Sequence, residues 1–153
     1  MGQYATAIEY HQEALRISRE LGDRENEGAA LDALGATRSR LGQFEEALAL
    51  HDRALVIFRD LKNALDTAVA LQQSADALMG LGRPQEAVEH YQGALAIERE
   101  LKDPRAGVPL IGLGLAYRAL SRPEAALASL EQALVELRQA GIAPESWRRS
   151  GRS

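Results

Sequence analysis

Gly42-Gln43-Phe44-Glu45-Glu46-Ala47-Leu48-Ala49-Leu50-His51-Asp52-Arg53-Ala54-Leu55 decides the fold, because copies of this segment stand in register along the chain. Its opening tripeptide corresponds to Gly2-Gln3-Tyr4, Gly82-Arg83-Pro84 and Ser121-Arg122-Pro123, spaced at intervals of 40, 40 and 39 residues. Its Ala54-Leu55 pair returns as Ala14-Leu15, Ala94-Leu95 and Ala133-Leu134. A fixed period of this size marks a solenoid, in which a unit cannot bury its apolar face alone and stacks on its neighbour. Such a chain is expected to offer a surface for partners rather than a pocket for catalysis.

Outward from Phe44, the residues Ala47, Leu48, His51, Ala54, Leu55, Phe58 and Leu61 share one helical stripe, with Glu45, Glu46, Asp52, Arg53, Arg59 and Asp60 on the other face. Between the copies, residues 30–41, 70–81 and 109–120 carry Ala and Leu at helical spacing and run into Gly42, Gly82 or Ser121. Glycine just past a periodic segment stops a helix, since it takes the left-handed conformation without a Cβ clash. Pro84 and Pro123 suit the first turn of the helix that follows, and Asp103-Pro104 gives a similar start signal. Four helices of one type and three of the other predict an all-α solenoid of antiparallel helical hairpins, about seven helices in all. The expected division is a half repeat over 2–23, full repeats over about 26–62, 66–102 and 105–141, and a tail over 142–153.

Small residues recur where paired helices would cross: Gly35, Ala75 and Gly114 on one side, Ala47, Ala87 and Ala126 on the other. An interior helical glycine costs about 1 kcal/mol relative to alanine, so close backbone approach is expected to offset that loss. Pro109, several residues after Pro104, predicts that the third helix of its type is kinked or begins late. The sequence opens in mid-hairpin, so the stripe of Ala7, His11, Ala14 and Leu15 is expected to lack half its cover. This reads as a piece of a longer array, or as an end that associates with another chain.

Among the 153 residues, 46 % are hydrophobic and 26 % charged, which is the balance of a folded water-soluble chain. Eighteen basic residues against 22 acidic ones leave a net charge of −4, a poor match to a phosphate backbone. The absence of cysteine removes disulfides, thiolate catalysis and Cys-based zinc sites. Without a long apolar run or a basic-then-apolar leader, the expected location is the cytoplasm. Lysine occurs only at Lys62 and Lys102, an arginine-rich bias associated with GC-rich bacterial genomes.

Candidate chemistry is sparse. His11 and His51 are equivalent by repeat and take the place of the aromatic Tyr91, which argues for packing with a hydrogen-bonded ring nitrogen; His90 falls one residue off the stripe and should face solvent. No third ligand recurs at the spacing zinc needs. Carboxylate pairs such as Glu45-Glu46, and Asp60 with Asp66, lie on polar faces as solvating groups. Gly112-Leu113-Gly114 lacks the third glycine and the preceding strand of a dinucleotide site, and no serine sits in a nucleophile elbow. No catalytic residue, metal site or cofactor is expected, and the chain reads as a non-enzyme. The tail Trp147-Arg148-Arg149 onward follows Ala143-Pro144 and is expected to be a flexible, solvated extension.

Leu34-Gly35, and Leu113-Gly114 with Tyr117, are followed twelve residues after the glycine by Ala47 and Ala126, and seven later by Ala54 and Ala133. This grid resembles the tetratricopeptide repeat over Gly2 to Gly141. Leu31 and Leu71 stand where that family often has tryptophan, and Arg38 and Leu78 where it has the tyrosine kept at Tyr117. The 40-residue period resembles the long-helix variant of kinesin light chains, cortical Gα-binding adaptors and bacterial regulators of the NB-ARC type. The resemblance implies a right-handed superhelix whose first helices line a concave groove for a peptide or a partner's helix. It implies groove positions Asp32, Ala36 and Ser39, then Gln72, Asp76 and Met79, then Ile111, Leu115 and Arg118. Two acids and an apolar patch there imply a protein or peptide ligand with a basic residue and a hydrophobic anchor. The expected function is an interaction scaffold within a larger bacterial signalling or transcriptional regulator. A nucleic-acid reader built on related helical hairpins is the alternative, disfavoured by the acidic balance.

Overall fold

The helix stops of this protein repeat with a period of about 40 residues, whereas the starts differ. The computed structural model describes residues 2–141, which form seven α-helices and, among the described residues, no strand. They are α1 (Gly2–Leu21), α2 (Arg24–Arg40), α3 (Phe44–Asp60), α4 (Ala64–Gly80), α5 (Pro84–Glu100), α6 (Val108–Ala119) and α7 (Pro123–Gln139). The expectation for the tail over 142–153 lies outside the described residues.

The six connections share one geometry. Gly22, Gly42, Lys62, Gly82, Lys102 and Ser121 each take positive φ, between 54° and 76°. The next residue's N–H then reaches back to a carbonyl of the last helical turn: Asp23 to Ser18, Gln43 to Arg38, Asn63 to Phe58, Arg83 to Leu78, Asp103 to Glu98 and Arg122 to Tyr117, all at 2.8–2.9 Å. This is the Schellman closure, which satisfies carbonyls the helix leaves unpaired. Gly42, Gly82 and Ser121 are the stops expected from the sequence; Lys62 and Lys102 hold the same geometry without glycine's advantage.

Helix starts differ by type. Asp23 and Asn63 accept the Asn26 and Asp66 backbone N–H groups, each at 3.1 Å, as side-chain N-caps. These caps start α2 at Arg24 and α4 at Ala64, two residues ahead of the expected repeat starts at 26 and 66. Asp103 accepts from Arg105 N at 2.8 Å but does not launch a helix directly. A turn with Ala106 N donating to Asp103 O and Val108 N to Arg105 O intervenes, and α6 opens only at Val108 with Pro109 in its first turn. Pro109 lacks the N–H an interior position needs, so the late start follows from its placement.

Consecutive helices pack along the chain, and α2 also touches α4 as α4 touches α6. The first helices of the hairpins therefore share one side of the stack, with α3, α5 and α7 behind them. The core runs the length of the array: Leu15, Leu31, Leu55, Phe58 and Leu71 form its first part, and Leu78, Val88, Tyr91, Leu110 and Leu113 its second. Each such Leu contributes about 1.5–3 kcal/mol on burial. The small-residue positions work as spacers. A Cβ at Gly35 would come within 2.7 Å of the His51 ring, and one at Gly114 within 2.6 Å of Leu130. The expected close approach is thus filled by side chains of the facing helix.

Two parts of the apolar stripe stand outside the core. Leu61 and Leu101 are C-caps and are a little under half exposed. On α1 only Leu15 and Ser18 are buried, whereas Tyr10 is 71 % and Leu21 75 % exposed. Tyr10, His11, Ala14, Ile17, Ala29, Ala30 and Ala33 line an open depression of about 490 Å³ between α1 and α2, where the half-covered stripe was expected. No described helix is both long and apolar enough to cross a membrane.

Candidate groove on the first helices

Helical spacing of three and four residues brings the predicted positions to the accessible side of α2, α4 and α6. Asp32, Ala36 and Ser39 are half-buried on α2, as are Gln72 and Met79 on α4 and Ile111 on α6, while Asp76, Leu115 and Arg118 are exposed. Met79 and Ile111 also pack partly against the core, so each offers only one side to a ligand.

The acids are not equivalent. Asp32 Oδ1 accepts from His51 Nδ1 at 2.6 Å, and the Gln73 amide nitrogen, oriented by its hydrogen-bonding surroundings, donates to both Asp32 oxygens at 3.1 Å. Its carboxylate is therefore committed to holding α3 and α4 against α2. His51 is fully buried, and its Nε2 has no hydrogen-bond partner among the described residues. The packing role expected for this ring, with a hydrogen-bonded ring nitrogen, is what the contacts show. His90, expected in solvent, is half-buried, and its Nδ1 donates to the Glu86 carbonyl at 3.0 Å.

Asp76 is the more available acid. Its Oδ1 accepts the Tyr91 hydroxyl, and the rest of the carboxyl opens toward the groove. Protein crowded around it withdraws water and pushes its pKa upward, against the pull of the Tyr91 hydrogen bond and His51. The same contact and burial drive the Tyr91 hydroxyl above its usual range, so it stays a donor. Tyr91 and His51 thus play one part in successive hairpins: a polar aromatic ring on the second helix hydrogen-bonds an acid on the first.

One buried acid beside these positions, on α5, was not singled out from the sequence. Glu98 lies at the stripe position of Ser18, Phe58 and Leu137, and it is only 2 % exposed. Burial, with the like charge of Asp103 adding and Arg105 opposing, pushes its carboxyl up to about 7. A charged residue where two other hairpins place Phe or Leu was the available signal. Among the described residues no group of three or more His, Cys, Asp or Glu side chains is placed to hold a metal.

Comparison with curated proteins finds no match. Among solved structures, the chain is similar to BtubC (BKLC) from P. vanneervenii, with a TM-score of 0.82 and 24 % identity over 94 % of this chain and 59 % of that one. It therefore spans less than two thirds of that relative's length. It is also similar to the TPR domain of Arabidopsis FLU, at TM-score 0.72 and 22 % identity over 76 % of this chain and 98 % of that one. A Podosopora anserina putative kinesin light chain with nearly identical TPR-like repeats gives 0.75 and 21 %, covering 97 % and 83 %. These likenesses are of fold. The tetratricopeptide repeat family profile matches residues 1–60 and 66–134. With that match and seven helices stacked in hairpins, the chain belongs to the tetratricopeptide repeat family, whose repeats are in general protein-interaction scaffolds.

Proposed function

We propose that this protein binds a peptide or a partner's helix along the groove formed by α2, α4 and α6. The observation that carries the reading is the mixture on that side: the partly open acid Asp76 and amide Gln72 on α4 stand beside the exposed Leu115 and half-buried Ile111 on α6. A ligand with a basic group and an apolar anchor complements both. Arg118 is the one basic residue among the nine groove positions, too few to track a nucleic-acid backbone.

The chain acts in this reading as a non-catalytic cytoplasmic module, and the arginine-rich composition favours a bacterial signalling or transcriptional regulator as its setting. The uncovered side of α1, with Tyr10 and Leu21 in solvent, supports self-association as a second contact. Affinity capture with the chain as bait tests the groove. A partner retained by the native chain and by Val135→Glu, on the exposed back of α7, but lost with Gln72→Arg plus Leu115→Glu supports the reading. Capture unaffected by the groove changes contradicts it.

A further inference from the structure

Glu98 Oε2 is buried and makes no hydrogen bond among the described residues. Its side chain forms one wall of a recess of about 310 Å³ on the groove side of the array. Gln72, Gln73 and Asp76 of α4 line the same recess, as do Val69 of α4, Arg105 and Val108, the first residue of α6. A buried carboxyl oxygen without a hydrogen bond is costly even with Arg105 nearby, and the stripe position accepts Phe58 or Leu137 elsewhere, so packing does not account for an acid here.

The walls offer more acceptors than free donors, the glutamine amides carrying both. Two carboxyl groups and two amide oxygens are acceptors, and the valines give apolar contact. The nearby cation, Arg105, is already engaged: its Nε and Nη2 donate to Asp103 Oδ1 and Oδ2, both at 3.1 Å. An occupant that suits such a recess has several N–H donors, positive charge and an aliphatic stem, which describes the side chains of lysine and arginine.

We infer that the recess is a socket for a lysine or arginine side chain of the bound peptide, held by Glu98 and Asp76 with Gln72 and Gln73 as secondary acceptors. The inference rests on the groove reading above and names the chemistry of its ligand. The raised pKa values of Glu98 and Asp76 agree with it, since an arriving cation supplies the opposite charge that would favour ionisation of both groups. A peptide lying over α4 and α6 would then place its basic residue at Glu98 and its apolar residue near Leu115.

Selection of random displayed dodecapeptides on the full chain at pH 7.5 tests the socket. Enriched peptides are expected to carry Lys or Arg at a fixed distance from an apolar residue. Replacing that basic residue by norleucine, which keeps the stem and removes the charge, should weaken binding to the native chain at least tenfold, about what one desolvated charge pair is worth. The same replacement should cost Glu98→Gln clearly less than it costs the native chain, since only Asp76 then remains to pair the charge. Asp76→Asn, at an exposed position, gives an independent reading if Glu98→Gln does not fold. Peptides competed off by Leu115→Glu yet indifferent to norleucine would overturn the socket and leave the groove standing. Failure to enrich any peptide on the native chain would overturn both.

Discussion

Lys62 and Lys102 hold φ values of 56° and 54° at the place where Gly22 and Gly141 stand in the other hairpins. A residue with a Cβ is strained there, and glycine is not. Replacing either lysine by glycine is expected to stabilise the fold by about 1 kcal/mol, read as a rise of about 2–4 °C in thermal midpoint for a chain of this size. An unchanged or lowered midpoint would mean that the lysine side chains compensate. From sequence these two turns were obscured, because lysine carries no signal for left-handed backbone. Gly42 and Gly82 showed the same turn at once. The family resemblance proposes Asp32 as a groove position, but its hydrogen bond to His51 was not legible, since the repeat does not say which acid a buried ring will reach.

Glu98 gives the residue scale a pH dependence. Its pKa is raised from 4.5 to about 7, so across that window the folded chain keeps a proton the unfolded chain has lost. Stability from this residue is complete below about 4.5, falls as pH rises, and levels off above about 7, a loss on the order of 3 kcal/mol at most. The upward shift of Asp76 acts in the same direction. Denaturant melts of the native chain and Glu98→Gln across pH 4–8 should diverge, the variant gaining relative stability as pH rises. Parallel curves would show that Glu98 ionises freely.

At the scale of elements, the array depends on turns as much as on the apolar stripe. Asn63 caps α4 through Asp66 N and accepts the Thr67 hydroxyl at its carbonyl, 2.7 Å away. Asn63→Ala is expected to cost about 1 kcal/mol in chemical denaturation, the worth of a helix N-cap. Helix type and number were readable because the stripe repeats four times and the small-residue grid three times. The start of α6 was readable in direction from Pro109, whereas the turn between Asp103 and Val108 depends on backbone hydrogen bonds that no periodic pattern announces.

For the whole molecule, stability in a linear stack is set by nearest neighbours. Among the described residues, α1 packs mainly on α2 and buries only Leu15 and Ser18, while α4 is held by α3, α5 and its contacts with α2 and α6. Native-state hydrogen exchange should therefore run fastest in α1 and slowest in α4 and α5. Uniform protection along the array would contradict a stack of this kind. The proposed groove runs over α2, α4 and α6, which share one side of the stack. The most direct test is a hydrogen-exchange footprint of the chain with a selected peptide bound. Added protection confined to the groove-bearing α2, α4 and α6 is the predicted result; protection centred on α3, α5 and α7 would place binding on the other side and contradict the account.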